Sequence, residues 1–181
     1  MNLPNKITMF RIIMIPFFII AMSVNFQAHE IIAVIIFVVA AVSDAVDGHL
    51  ARSRNLITDF GKFMDPLADK LLTSSAFICL VELHYIPSWI VIIIIAREFA
   101  ITGLRTLAAN NGTVIAASKW GKAKTMSQMI AIVALLLYNW PVCQFSVLGV
   151  FGNIMIYVAL VLTLISGIDY FRLNTGVFKT M

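Results

Sequence analysis

Residues 31–51 read Ile-Ile-Ala-Val-Ile-Ile-Phe-Val-Val-Ala-Ala-Val-Ser-Asp-Ala-Val-Asp-Gly-His-Leu-Ala. No charge occurs from Ile31 to Ser43; then two carboxylates, Asp44 and Asp47, arrive within one helical turn. A helix needs about 20 mainly apolar residues to cross the hydrocarbon core of a bilayer. This stretch has that length and keeps its acidic residues toward one end. Apolar stretches at 8–24, 66–83, 87–109, 125–139 and 147–171 repeat the pattern along the 181 residues. The chain is 61% hydrophobic and 12% charged, with a mean hydropathy of +0.96, whereas a soluble domain carries about 25% charged residues. The expected fold is an all-α integral membrane protein, with six transmembrane helices in one bundle over residues 1–181 and no separate soluble domain.

The distribution of basic residues predicts the topology. The connections 25–30, 84–86 and 140–146 contain no Lys or Arg. Lys6 and Arg11 lie at the start, Arg52, Arg54 and Lys62 between the second and third stretches, and Arg105, Lys119, Lys122 and Lys124 between the fourth and fifth. Arg172 and Lys179 follow the sixth. Basic residues stay cytoplasmic during insertion, so both termini are expected inside, in a multi-pass protein of the cell membrane. The formal charge of +4 then falls on the face that meets anionic lipid, and nucleic acid is not an expected partner. Ile12–Val24 behind Lys6 and Arg11 resembles a secretory leader, but Asn25-Phe26-Gln27-Ala28 lacks small residues at both cleavage-determining positions, so a retained first helix is expected. Cys79 and Cys143 read as structural rather than disulfide-forming or metal-binding. Trp89, Trp140 and Tyr85 read as outer-boundary anchors, and His29 and His84 as residues of that same boundary. His49 reads as flanking the carboxylates.

The carboxylates carry the chemistry. Asp44 and Asp47 sit near the cytoplasmic end of the second stretch, and Asp65 and Asp69 at the start of the third. Residues three and four apart share a helix face, so Asp44, Asp47, Gly48 and Ala51 form one stripe, and Gly61, Asp65 and Asp69 another. A short connection makes the two helices antiparallel neighbours and brings the four carboxylates together. Such a group in a partly dry site calls for a cation, and all-oxygen ligands favour Mg²⁺ or Mn²⁺. A pair of such ions clamps oxygens around a displacement at phosphorus. Gly48, Ala51 and Gly61 leave room for a ligand against the helix backbone. Solvated or capping roles suit a single aspartate at a helix end better than four, two of them inside apolar spans, because intramembrane ionisable residues mark function.

The run Asp44-x2-Asp47-Gly48-x2-Ala51-Arg52-x8-Gly61-x3-Asp65-x3-Asp69 resembles the signature of the CDP-alcohol phosphotransferase family at every fixed position. The likeness extends to the six-span layout. It implies that Asp44, Asp47, Asp65 and Asp69 hold the metals, with two ions expected, and that Asp69 acts as general base on the acceptor hydroxyl. It implies that Gly48, Ala51, Arg52 and Gly61 cradle the CDP moiety of CDP-diacylglycerol. The implied reaction is attack of an alcohol on the lipid-bearing phosphorus, with CMP leaving. A homodimer within membrane lipid is compatible with the family.

Arg97 interrupts an apolar span near its middle, and Arg105 follows two turns later on roughly the same side. A deep arginine needs a carboxylate partner or an anionic ligand. Both remain open for Arg97, with Glu98 or a signature aspartate as the internal partner. Lys119, Lys122 and Lys124 fit phosphate binding and ordinary cytoplasmic placement alike. Ala96-Arg97-Glu98-Phe99, Leu104-Arg105, Trp120-Gly121-Lys122-Ala123-Lys124-Thr125 and the opening Asn5-x2-Thr8-x2-Arg11 are similar to the bacterial phosphatidylglycerophosphate synthases within that family. That similarity adds Asn5 and Thr8 to the CDP-binding set. It implies glycerol 3-phosphate as acceptor, its phosphate held by Arg97, Arg105, Lys122 and Lys124. Inositol phosphate, serine or phosphatidylglycerol are the alternative acceptors. A cation or proton transporter is the alternative from another class, and it predicts carboxylates spread across the membrane with repeated halves.

Overall fold

A computed structural model describes residues 2–24, 26, 28–53, 58–110 and 118–173, except the side chains of 45–53, 59, 60, 62, 63, 107, 109, 110 and 173. These residues form six α-helices: α1 (Leu3–Ser23), α2 (His29–Ser53), α3 (Asp59–Glu82), α4 (Ser88–Asn110), α5 (Lys119–Asn139) and α6 (Ser146–Leu173), with a 3₁₀ turn at Pro141–Cys143. No strand occurs among them. The predicted break at Asn110–Thr113 falls at the end of α4 and then outside the described residues.

The helices α1, α3 and α5 begin at Leu3, Asp59 and Lys119, each ahead of the apolar run it contains. Charged and polar residues interrupt those first turns (Asn5 and Lys6, Asp59 and Lys62, Lys119 and Lys122), so hydrophobicity does not register them. The starts of α3 and α5 are instead fixed by caps. Thr58 Oγ1 accepts the Gly61 N–H at 3.1 Å, and Ser118 Oγ accepts the Gly121 N–H at 3.0 Å. Each cap satisfies a backbone donor that the helix itself leaves unpaired.

The connections around 24–28, 83–87 and 140–145 are short, so α1–α2, α3–α4 and α5–α6 run as antiparallel hairpins. The helix α1 packs on α2 and α3; α5 packs on α6 and reaches α2 and α3; α4 lies against α3 and α6. Phe18, Phe37, Leu72, Phe77, Ile94 and Leu135 lie in the buried core, with the Phe18 and Phe37 rings tilted against each other at a centroid distance of 5.9 Å. The outside is also apolar. Ile78, Ile92, Phe99, Val150, Val161 and Ile168 are all exposed, an arrangement suited to lipid rather than water. Leu3–Ser23 and Ser146–Arg172 are long and apolar enough to cross a membrane. In α3, α4 and α5 the apolar runs are interrupted by the charged residues of the cavity described below.

At the end of the bundle away from those charges, Tyr85 OH donates to Asn139 Oδ1 at 3.1 Å and its ring meets Tyr138 edge-on. Tyr85 therefore ties the α3–α4 turn to the end of α5, a role its reading as an anchor does not include. His29 Nδ1 lies 3.0 Å from the Ala21 carbonyl, and His84 adopts a left-handed φ of 60° in the α3–α4 turn. Both sit at this end, as expected. Cys79 and Cys143 are free thiols. The side chain of His49 lies outside the described residues.

Candidate active site

The opposite end holds the polar residues, contributed by the beginnings of α1, α3 and α5 and the later halves of α2, α4 and α6. Arg11 of α1 is fully buried and donates from Nη1 to Asp44 Oδ1 of α2 at 2.6 Å. One turn earlier, Thr8 Oγ1 donates to Asp65 Oδ1 of α3 at 2.6 Å. Asn5 Oδ1 accepts from Thr58 Oγ1 at 3.0 Å, just before α3. Residues 5, 8 and 11 thus form a ladder along one face of α1. It aligns the carboxylate-bearing segments of α2 and α3. A side chain at Gly61 would place its Cβ 3.2 Å from both Asn5 Oδ1 and Thr58 Oγ1, so the glycine lets α3 close against the ladder.

These helices surround a cavity of about 770 Å³. Asp44, Asp65 and Asp69 contribute carboxylates to its lining, and Arg97, Arg105, Lys122 and Lys124 contribute cations. Seven of the predicted site residues therefore share one space. Asn5, Thr8 and Gly61 do not line it; Asn5 and Thr8 are buried behind it, bonded to Thr58 and Asp65. Asp47, Gly48, Ala51 and Arg52 lie in α2, with side chains outside the described residues.

Among the described residues, no three His, Cys, Asp or Glu side chains stand close enough together to hold a metal ion. Arg11 meets Asp44 at Oδ1, and Thr8 meets Asp65 at Oδ1. The chemistry of the predicted donor set, all carboxylate oxygen, still suits a hard divalent cation.

Several cavity residues were not singled out from the sequence: Lys70 is the principal one, joined by Thr102, Ser118 and Tyr170. Glu98, named there only as an ion-pair partner for Arg97, also lines the cavity. Glu98 accepts from Lys70 Nζ at 3.2 Å through Oε2, and from Arg97 Nη1 at 3.3 Å and Lys124 Nζ through Oε1. Arg97 Nη2 also donates to Ser166 Oγ of α6 at 2.9 Å. The two readings of Arg97 are thus compatible, since it pairs with Glu98 and also faces the cavity. The Arg105 guanidinium carbon lies 5.7 Å from the centre of the Tyr170 ring, within cation–π range. Lys70 follows directly on Asp69, a position that signals closeness to the carboxylates. Nothing in the sequence spacing joins Glu98 to residues of α3 and α5.

The sequence profile of the CDP-alcohol phosphatidyltransferase family matches residues 1–165. A Bacillus subtilis (strain 168) protein named CDP-diacylglycerol--glycerol-3-phosphate 3-phosphatidyltransferase is 47% identical, over 99% of this chain and 98% of its own length. Proteins of the same name from Haemophilus influenzae (strain ATCC 51907 / DSM 11121 / KW20 / Rd) and Rickettsia felis (strain ATCC VR-1525 / URRWXCal2) are 40% and 37% identical. The first of these matches spans 97% of this chain and 94% of that protein, the second 94% of each.

Proposed function

Because this chain belongs to the CDP-alcohol phosphatidyltransferase family, we propose that it transfers the phosphatidyl group of CDP-diacylglycerol to glycerol 3-phosphate, giving phosphatidylglycerol phosphate and CMP. The observation that carries this reading is that one cavity is lined by three aspartates from α2 and α3 and by four cations from α4 and α5, here called its two poles. Asp44, Asp65 and Asp69 supply negative charge, and Arg97, Arg105, Lys122 and Lys124 supply positive charge. A diphosphate requires a cation between it and the carboxylates, whereas an acceptor carrying its own phosphate is drawn directly to arginine and lysine. Serine would bring only a carboxylate with an ammonium beside it, a poorer match to four cations than a phosphate dianion.

In this reading Asp44, Asp47, Asp65 and Asp69 hold Mg²⁺ or Mn²⁺, two ions in all, which when bound neutralise the diphosphate and polarise the phosphorus. Gly48, Ala51 and Arg52 accept the CDP moiety, with Gly61, Asn5 and Thr8 shaping its floor from behind. The phosphate of the acceptor rests on Arg97, Arg105, Lys122 and Lys124, which turns its free hydroxyl toward Asp69. Asp69 takes the hydroxyl proton as the oxygen bonds to the lipid-bearing phosphorus, and the bond from that phosphorus to CMP breaks. Six membrane crossings, both termini cytoplasmic and the cavity at the cytoplasmic face of the cell membrane complete the proposal. The placement of Lys and Arg and the apolar exterior of the bundle support it.

The test is CMP release from CDP-diacylglycerol by purified protein in detergent with Mg²⁺ or Mn²⁺. Glycerol 3-phosphate, glycerol, inositol phosphate, serine and phosphatidylglycerol are offered separately. Release with glycerol 3-phosphate alone, abolished by chelator, is the expected result. Release only with another acceptor would overturn the acceptor and keep the reaction.

A further inference from the structure

Glu98 contributes an anion to the wall that otherwise gathers cations, and its surroundings show why one is needed there. Lys70 from α3, Arg97 from α4 and Lys124 from α5 converge on its two oxygens. All three cations are largely withdrawn from solvent; the Lys124 side chain is only 3% exposed. Three cations at that depth repel one another, and ammonium and guanidinium groups lose much of their hydration. A single carboxylate shared among them offsets both effects and leaves a net positive wall facing the cavity. The network also links three helices, α3, α4 and α5. Arg97 is further fixed by Ser166 of α6, so the charged wall is held from four helices.

We infer that Glu98 is the positioning residue of the acceptor-phosphate pole. It touches no reacting atom; it holds Lys70, Arg97 and Lys124 at the spacing that receives a phosphate, and it makes Lys70 a further member of that pole. This rests on the acceptor proposed above. A carboxylate with this role governs how tightly a phosphorylated acceptor binds and leaves the CDP-lipid pole untouched.

Steady-state kinetics of Glu98→Gln, with both substrates varied, test it. The wild-type protein must first turn over with glycerol 3-phosphate; if it does not, the proposed function fails and the failure is visible before the variant is made. In Glu98→Gln the KM for glycerol 3-phosphate is expected to rise about tenfold or more, as for other broken buried charge networks. The KM for CDP-diacylglycerol and kcat should stay within about twofold, since those interactions are made elsewhere. Lys124→Gln should then raise that KM less in the Glu98→Gln background than in wild type, because the two side chains act as one unit. Unchanged KM for glycerol 3-phosphate, equal rises for both substrates, or strictly additive effects would each overturn the inference. If Glu98→Gln gives no stable protein, Glu98→Asp decides the matter. It keeps the charge but is too short to reach all three cations, and wild-type KM values for both substrates in that variant would refute the role.

Discussion

Asp69 differs from its neighbours in what holds it. Arg11 engages Asp44 and Thr8 engages Asp65, while the Asp69 carboxylate has no hydrogen bond to another side chain among the described residues. A proton acceptor needs an available lone pair facing the substrate, and Asp69 lines the cavity one turn along α3 from Asp65. Asp69→Asn should therefore reduce CMP release by about 10²-fold or more, the usual contribution of a general base, while CDP-diacylglycerol still binds. Turnover near that of wild type would remove Asp69 from this role. At this scale the sequence spacing pointed to the candidate carboxylates, because Asp44 and Asp47, and Asp65 and Asp69, are paired at helical intervals in a chain with few carboxylates. Lys70 and Glu98 were not legible in the same way. Their roles depend on contacts 26 and 28 residues apart along the chain, and no local pattern encodes these.

Among the helices, the α5–α6 pair has the tightest approach to test. A Cβ added at Gly152 would lie 2.7 Å from Leu135 Cγ and Cδ2 and 3.4 Å from the Leu135 backbone nitrogen. Leu135 is fully buried, so its branch point has nowhere to move. Gly152→Ala should destabilise the protein by about 1–3 kcal/mol, as overpacking does. In contrast, a Cβ at Gly103 meets nothing within 4 Å, and Gly103→Ala should be neutral or stabilise α4 by up to about 1 kcal/mol through helix propensity. Thermal unfolding of both variants in detergent checks the pair, and equal melting temperatures would contradict it. The existence of all six helices was legible from hydrophobicity, but the starts of α1, α3 and α5 were not, since charged and polar residues interrupt their first turns. The Thr58-x2-Gly61 and Ser118-x2-Gly121 caps were the available signals for two of them.

For the molecule as a whole, the proposed topology places Val142 outside and Lys119 inside. Both residues are exposed. In a chain whose Cys79 and Cys143 are replaced, Val142→Cys should react with a membrane-impermeant thiol reagent in intact cells, and Lys119→Cys only after permeabilisation. The reverse pattern would invert the orientation. Beyond the expected α2–α3 pair, which helices pack together was hidden from the sequence for a physical reason: in lipid, the face toward a neighbouring helix and the face toward acyl chains are both apolar. Only polar contacts distinguish them, and the Arg11–Asp44 pair is one. That pair also bears on how the protein is made. In the proposed topology Arg11 lies in the first half of α1 and Asp44 toward the end of α2, where an unpaired charge raises the free energy of insertion, though by less than at a span centre, where it costs about 3 kcal/mol. Arg11 emerges from the ribosome 33 residues before Asp44, so α1 waits for its counter-charge. In the proposed six-span topology, the first two helices are therefore best suited to enter the bilayer together, each offsetting a charge of the other.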